Sequence, residues 1–347
     1  MSLPYVLLSI LWLALIVYTV LGGADFGAGM LELFAFGPTG VRQGTLIDES
    51  LDPVWEANHV WLIFLLVVFF TTFPPAFAAI NVILFIPLML AVIGIVLRGS
   101  AFAFRVHGTI KRNQTVKMLS RIFSIASAMT PFFLAVAAAA IASGRIQIQG
   151  KNLQTNLGSY WLTPFALTIG AMALTLCVTI AAIYLTVEAT NKGDTELAEV
   201  FRQRGLIAGA LTAALGVLGL ILAPTEAPIL WHGMLDHALF LAVVIMLIGL
   251  ATAAALFLRH YQVARILIIG EAAFLLGTWG VSQIPYLIPP DVTVASAASS
   301  QSTMLTLFIG IIIGLIIIGP SFWFLFHVFK TKPATRPARY RSPAKEA

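Results

Sequence analysis

The chain has 347 residues, 59% of them hydrophobic and 10% charged, with a formal net charge of +5 and a mean hydropathy of +0.96. So little polar surface cannot cover a water-soluble globule of this size, which excludes a soluble enzyme and makes nucleic-acid binding the wrong reading of the basic balance. The single cysteine, Cys177, excludes an internal disulfide framework and a thiolate metal site built within the chain.

A helix crosses about 30 Å of hydrocarbon with roughly 20 mostly apolar residues. Nine windows meet that requirement: about 4–34, 54–72, 76–104, 118–141, 160–188, 205–223, 237–258, 262–282 and 304–329. The predicted fold is therefore an all-α integral membrane protein of about nine transmembrane helices, arranged as two four-helix bundles plus one extra helix. Residues 1–329 form a single polytopic membrane domain. The first 20 residues lack a basic start and run straight into a long span, so a cleaved secretory signal is not expected.

The first span carries GGADFGAGMLE at residues 22–32. Asp25 and Glu32 are seven apart and share one helix face, and the glycines around them let neighbouring helices approach closely. The second span opens with DPVWEANHVW at residues 52–61. Asp52 suits an N-cap, Pro53 the first helical position and Glu56 the first turn. Glu56 and His59 are three apart and form a carboxylate and imidazole pair, with unperturbed pKa values of roughly 4 and 6.5, able to hand protons on. Asp25, Glu56 and His59 can thus meet near one membrane boundary as a proton entry point. The plainer alternative is that Glu56 complements a helix end, His59 satisfies a buried carbonyl and Asp25 pairs with an arginine such as Arg98 or Arg105.

Farther along, Arg98 and Arg105 sit at the end of the third span, where long side chains snorkel to the interface. Cys177 reads as a small buried apolar residue of the fifth span. His232, Asp236 and His237 fall in a loop before the seventh span and form too loose a grouping to specify a metal. Glu271 lies six residues after Arg265, about 9 Å along the eighth helix, deep enough to need a partner and a secondary candidate for a proton path. The last 18 residues, 330–347, are basic and proline-rich without apolar periodicity, which predicts a disordered tail.

Orientation follows from the basic residues, which gather in cytoplasmic loops. With the N-terminus outside and the C-terminus cytoplasmic, only Arg145 and Lys151 of the 20 lysines and arginines fall on the outer side. Adding or dropping one span scrambles this segregation. It also puts the Asp25 and Glu56 ends of their helices toward the cytoplasm. The inner rim and tail suit anionic lipid headgroups.

Four stretches in order, GGADFGAGML (22–31), DPVWEANHVWLI (52–63), RGSAFAFR (98–105) and SSQSTMLTL (299–307), resemble subunit II of the cytochrome bd-type quinol oxidases. The resemblance covers the whole length. It implies a protein of the bacterial or archaeal plasma membrane that works as half of a heterodimer with a haem-bearing subunit I, the complex oxidising quinol and reducing O2 to water. It implies that haem b and haem d belong to that partner and that this chain holds no catalytic centre, cofactor or metal of its own. A structural quinone and an additional small subunit stay open as further associates, beside membrane lipids. The family's acidic positions fall on Asp25 and Glu56 here, as residues of proton uptake or assembly. Glu56 stands where some relatives have aspartate, and His59 where glutamine also occurs. A proton-coupled secondary transporter is the rival reading, since intramembrane carboxylates and glycine-interrupted helices mark coupling sites there too.

Overall fold

The computed structural model describes the backbone of residues 2–35, 37–107, 113–146, 148–149, 152–153 and 158–330; the side chains of residues 51–56, 105–107, 113–114, 116, 149, 152–153, 318–319 and 321–330 lie outside the described residues. The tail from 331 onward also lies outside them. The chain divides into two units, residues 1–299 and residues 300–347.

The first unit is built from α1 (Leu3–Glu32), α2 (Gly40–Thr72), α3 (Pro74–Ile83), α4 (Phe85–His107), α5 (Asn113–Ala142), α6 (Pro164–Asn191), α7 (Thr195–Glu226), α8 (Pro228–Gly233), α9 (Leu239–Phe257) and α10 (Tyr261–Gln283). The second contains α11 (Gln301–Lys330). Two short antiparallel ladders, Ile148–Gln149 with Asn152–Leu153 and Tyr286–Ile288 with Val292–Thr293, complete the described regular structure.

Among the described residues, length and composition make seven segments fit to cross a membrane: α1, α4, α5, α6, α7, the run from α8 through α9, and α10. Residues Ala57–Thr72 of α2 pass the same test together with α3, but the two are bent by 116°. Within the described residues the apolar part of α11 is the shorter stretch Gln301–Ile317. The bundle turns on α1 and α6, which pack along each other. Helix α1 also meets α2, α5 and α10, while α6 also meets α5, α7 and α10.

The third expected span, 76–104, is not one rod. It divides at Leu84 into α3 and α4. Pro87 lies three residues farther on, where its ring crowds the carbonyl four residues back and offers no N–H to it, which disfavours a helix running through Ile83.

The start of the second span also differs from expectation. Helix α2 begins at Gly40, after Thr39, so Asp52 is not an N-cap and Pro53 not a first-turn proline. Tertiary packing explains the extra turns: Leu46 and Ile47 are fully buried against Leu31, Leu185 and Phe201, which anchors a helical face upstream of the apolar run. His232, Asp236 and His237 likewise stand on helix and not in a loop, His232 in α8 and the other two in the π-helical turn Met234–Ala238 before α9.

Close approach at the centre depends on the glycines of α1. A Cβ at Gly27 would overlap the main-chain carbonyl of Cys177 on α6, and one at Gly29 the Ser127 side chain on α5. Without those side chains the helix backbones come near enough to pack tightly in a setting where lipid offers no hydrophobic drive for association.

Charged side chains gather in two separate groups. In one, Arg42 of α2 bridges Asp194 and Glu196 at the start of α7, Lys192 meets Glu49, Arg204 donates to the Phe34 carbonyl at 2.6 Å, and Arg259 reaches Glu199 at 3.5 Å. Asp194 is the N-cap of α7 and accepts from the Leu197 amide at 3.1 Å. The Arg42 guanidinium, followed by that amide, holds the Asp194 carboxyl below the usual carboxylate range. In the other group Arg145 pairs with Glu226 at 3.5 Å, and Asp291 accepts from the Ile148 amide at 2.7 Å.

Candidate functional site

Asp25 stands seven residues before the end of α1, about 10 Å along the axis from Glu32, and is fully buried. Its carboxylate is gripped by Arg98 of α4. Nη2 donates to Oδ1 at 2.5 Å and Nη1 to Oδ2 at 2.8 Å, the bidentate geometry in which guanidinium and carboxylate match best. Arg98 Nη2 also reaches the Asp25 carbonyl at 3.4 Å, while Nε donates to Ser127 Oγ at 2.9 Å. Ser127 in turn donates to the Phe123 carbonyl of its own helix at 2.7 Å. The rings of Phe26 and Phe123 lie 4.9 and 4.8 Å from the guanidinium carbon, close enough for cation–π attraction.

Arg98 therefore does not snorkel to the rim as its place near a span end suggested. It is 1% exposed, and the reason is the opposite charge waiting inside. A buried guanidinium needs a hydrogen-bonded anion to offset its desolvation, and Asp25, Ser127 and two aromatic faces supply a complete coordination. The pairing of Asp25 with an arginine, one of the alternatives open in the sequence, is present in the structure.

Helix α2 joins through Asn58, whose Nδ2 donates to Asp25 Oδ2 at 3.3 Å. His59 is half-buried beside it and lines a small cavity together with Tyr18, Phe26, Asn58, Leu62, Ile95 and Arg98. So α1, α2, α4 and α5 each place a polar side chain at one buried point. Asp25, His59 and Arg98 are brought together there. The Glu56 and Arg105 side chains lie outside the described residues, although both backbones are helical. Glu32 closes α1 and is half-buried. Glu271, on α10, has its carboxylate against Gly249 and within hydrogen-bonding reach of Thr252, both on α9, and not among the side chains that meet Asp25.

Sequence reading passed over three members of the site. Asn58 stood inside a quoted motif, between two residues that were singled out, and a carboxamide within an apolar run was its available signal. Ser127 had none, because a serine hydroxyl in a helix usually bonds its own backbone, and Tyr18 reads as one more aromatic residue of an apolar span.

The cavity beside Asp25 offers about 10 Å³ to the centre of a water molecule, and among the described residues no group of three or more His, Cys, Asp and Glu side chains could hold a metal ion. His232 donates to the Pro228 carbonyl at 2.7 Å, and it, Asp236 and His237 are exposed.

Fold and site together define a multi-pass helical membrane protein whose centre is a buried, fully hydrogen-bonded ion pair. The profile of the family described as cytochrome bd terminal oxidase subunit II matches residues 3–329, and the chain belongs to that family. It is 24% identical over 330 residues to a putative cytochrome bd menaquinol oxidase subunit II of Bacillus subtilis strain 168, covering 93% of this chain and 94% of that protein. It is 25% identical over 202 residues to the cytochrome bd-I ubiquinol oxidase subunit 2 of Escherichia coli K12, covering 54% and 51% respectively. Among solved structures, the bd oxidase from Geobacillus thermodenitrificans contains a chain that matches with a TM-score of 0.74 at 22% identity, over 96% of this chain and 100% of that one. The chain is thus a subunit of a bd-type quinol oxidase of the respiratory membrane, and the transporter alternative loses its ground.

Proposed function

We propose that this chain works as one half of a heterodimer with a haem-bearing subunit I, in a complex that oxidises quinol and reduces O2 to water. It supports the assembly and stability of that partner and contributes part of a cytoplasmic proton-uptake path through Asp25, Glu56 and His59. Nine spans with the N-terminus outside and the C-terminus cytoplasmic complete the reading. What supports the orientation is the charge grouping: Arg42, Lys192, Arg204 and Arg259, all assigned to the inner side by loop counting, share one polar cluster, while Arg145 belongs to another.

The observation that carries the site is a buried carboxylate joined to α2 through Asn58, with an imidazole at the same small cavity. O2 reduction consumes protons at a buried centre. A route fed from the cytoplasm, with quinol protons leaving outside, charges the membrane without a pump. A carboxylate in a bidentate pair takes up a proton only when the pair parts, so Arg98 acts as the gate of such a path.

The test is Asp25→Asn and Glu56→Gln in the intact complex, with haem content read from the optical spectrum beside quinol oxidase turnover. A fall in turnover of about tenfold or more, worth about 1.4 kcal/mol of barrier, with haem retained supports the path. Unchanged turnover and normal haem in both variants removes it. Loss of haem leaves assembly as the role of these residues.

A further inference from the structure

Two polar atoms at the centre of the protein have no hydrogen-bond partner among the described residues: the hydroxyl of Tyr18 and the side-chain carbonyl oxygen of Asn58. Tyr18 is 8% exposed and Asn58 1%, so bulk water does not serve them. Both residues line the cavity beside the Arg98–Asp25 pair. We propose that this cavity is a binding site for one ordered water molecule, held between the Tyr18 hydroxyl and the Asn58 carbonyl.

The chemistry of the two atoms is complementary. Asn58 Nδ2 donates to Asp25, which fixes the orientation of the amide and leaves Oδ1 as a pure acceptor. The Tyr18 hydroxyl can donate as well as accept. A water molecule between them accepts from Tyr18 and donates to Asn58, in a space that Arg98 and His59 also line. Local shape agrees. Tyr18, Gly22 and Phe26 stack one turn apart on α1, and Asn58 Oδ1 lies 3.1 Å from where a Cβ on Gly22 would stand. The space is about 10 Å³ for the centre of a water molecule, room for about one. Phe26, Leu62 and Ile95 form its apolar walls. Truly dry cavities are apolar throughout, and one that presents an orphan donor and an orphan acceptor is not. The site stands whether or not Asp25 carries protons.

The test is a cryo-EM map of the intact oxidase at a resolution that shows ordered water, for the wild-type complex and for Tyr18→Phe, whose ring keeps its shape. The expected result is a peak within hydrogen-bonding distance of both atoms in the wild type and its loss in the variant. An infrared O–H band of the wild-type complex that shifts in H2(18)O and vanishes in Tyr18→Phe is the second readout. An empty cavity in the wild-type map overturns the inference, as does a lipid, quinone tail or partner side chain filling the cavity, or an isotope-sensitive band unchanged by the substitution. Should Tyr18→Phe fail to assemble, the wild-type map alone decides.

Discussion

Replacing Arg98 with methionine keeps the unbranched stem and most of the volume of the side chain while removing its charge. Asp25 then remains fully buried with a single neutral donor, Asn58 at 3.3 Å, in place of the two guanidinium bonds at 2.5 and 2.8 Å. Breaking a buried pair by removing one partner costs about 3–5 kcal/mol, because the remaining charge has lost its compensation. Ser127 also loses the donor at 2.9 Å, although its own bond to the Phe123 carbonyl persists. A cost of that size shifts a folding or assembly equilibrium by about 10² to 10⁴, so the variant is expected to yield little haem-loaded complex and to lose the haem spectrum at lower temperature. The double variant Arg98→Met with Asp25→Leu removes both charges and is expected to recover most of the loss, since apolar replacement of a whole buried pair is often neutral. The assay is a double-mutant cycle on haem-loaded complex per membrane protein and on the midpoint of thermal haem loss. Wild-type yield and midpoint in Arg98→Met, or a double variant no better than the single one, would refute the argument that the pair acts as a mutually compensating unit.

The glycines of α1 separate by what their missing side chains would strike. Gly27→Ala drives a methyl into the fixed Cys177 backbone of α6 and should cost about 1–3 kcal/mol of overpacking, whereas Gly23→Ala meets the movable tip of Ile180 at 2.8 Å and should be milder; complex yield after detergent extraction compares them. Glu271→Gln should leave quinol oxidase turnover within about twofold, because its contacts are with Gly249 and Thr252 of α9; a tenfold loss, about 1.4 kcal/mol, would put Glu271 on the proton route. The Asp194 carboxyl has its folded pKa below the unfolded value, so its contribution is present above roughly pH 4 and is lost as pH falls through the folded pKa. Asp194→Asn keeps the cap but loses this dependence, which acid titration of complex stability at low salt would detect. In a Cys177→Ala background, single cysteines at Lys192 and Arg145 should react with a membrane-impermeant maleimide from opposite faces; labelling from one face would overturn the orientation.

Periodicity and length sufficed for the rods of this fold because a lipid-exposed helix is apolar on every face and its run is uninterrupted. They failed where the cause lay elsewhere. The 116° bend between α2 and α3 falls at the expected boundary between the windows 54–72 and 76–104, but the break at Leu84 lies inside the second window, where Pro87 interrupts hydrogen bonding without interrupting hydrophobicity, so a hydropathy window passes over it. The early start of α2 depends on burial of Leu46 and Ile47 against helices α1, α6 and α7, contacts more than a hundred residues distant in the last two cases. Four of the residues that basic-residue counting assigns to the inner side, Arg42, Lys192, Arg204 and Arg259, have anionic or carbonyl partners. Their side chains find one another in Asp194, Glu196, Glu49, Glu199 and Phe34.

The site is a sharper instance of the same division. Asp25 was conspicuous because a carboxylate in an apolar span has to be explained; Arg98 was equally costly but close to a span end, where snorkelling offers an easy exit. Nothing within α4 distinguishes an arginine that reaches out from one that reaches in. The decision is made by residues 73 and 29 positions away, Asp25 and Ser127, and by the aromatic rings that close over the guanidinium. A proton route through such a place is constrained by that pairing. Asp25 cannot be both a permanent counter-ion and a carrier, so conduction requires Arg98 to swing toward another acceptor while the carboxyl is protonated. The Asn58 carbonyl and Tyr18 hydroxyl, without partners among the described residues, line the same small cavity as Arg98 and His59.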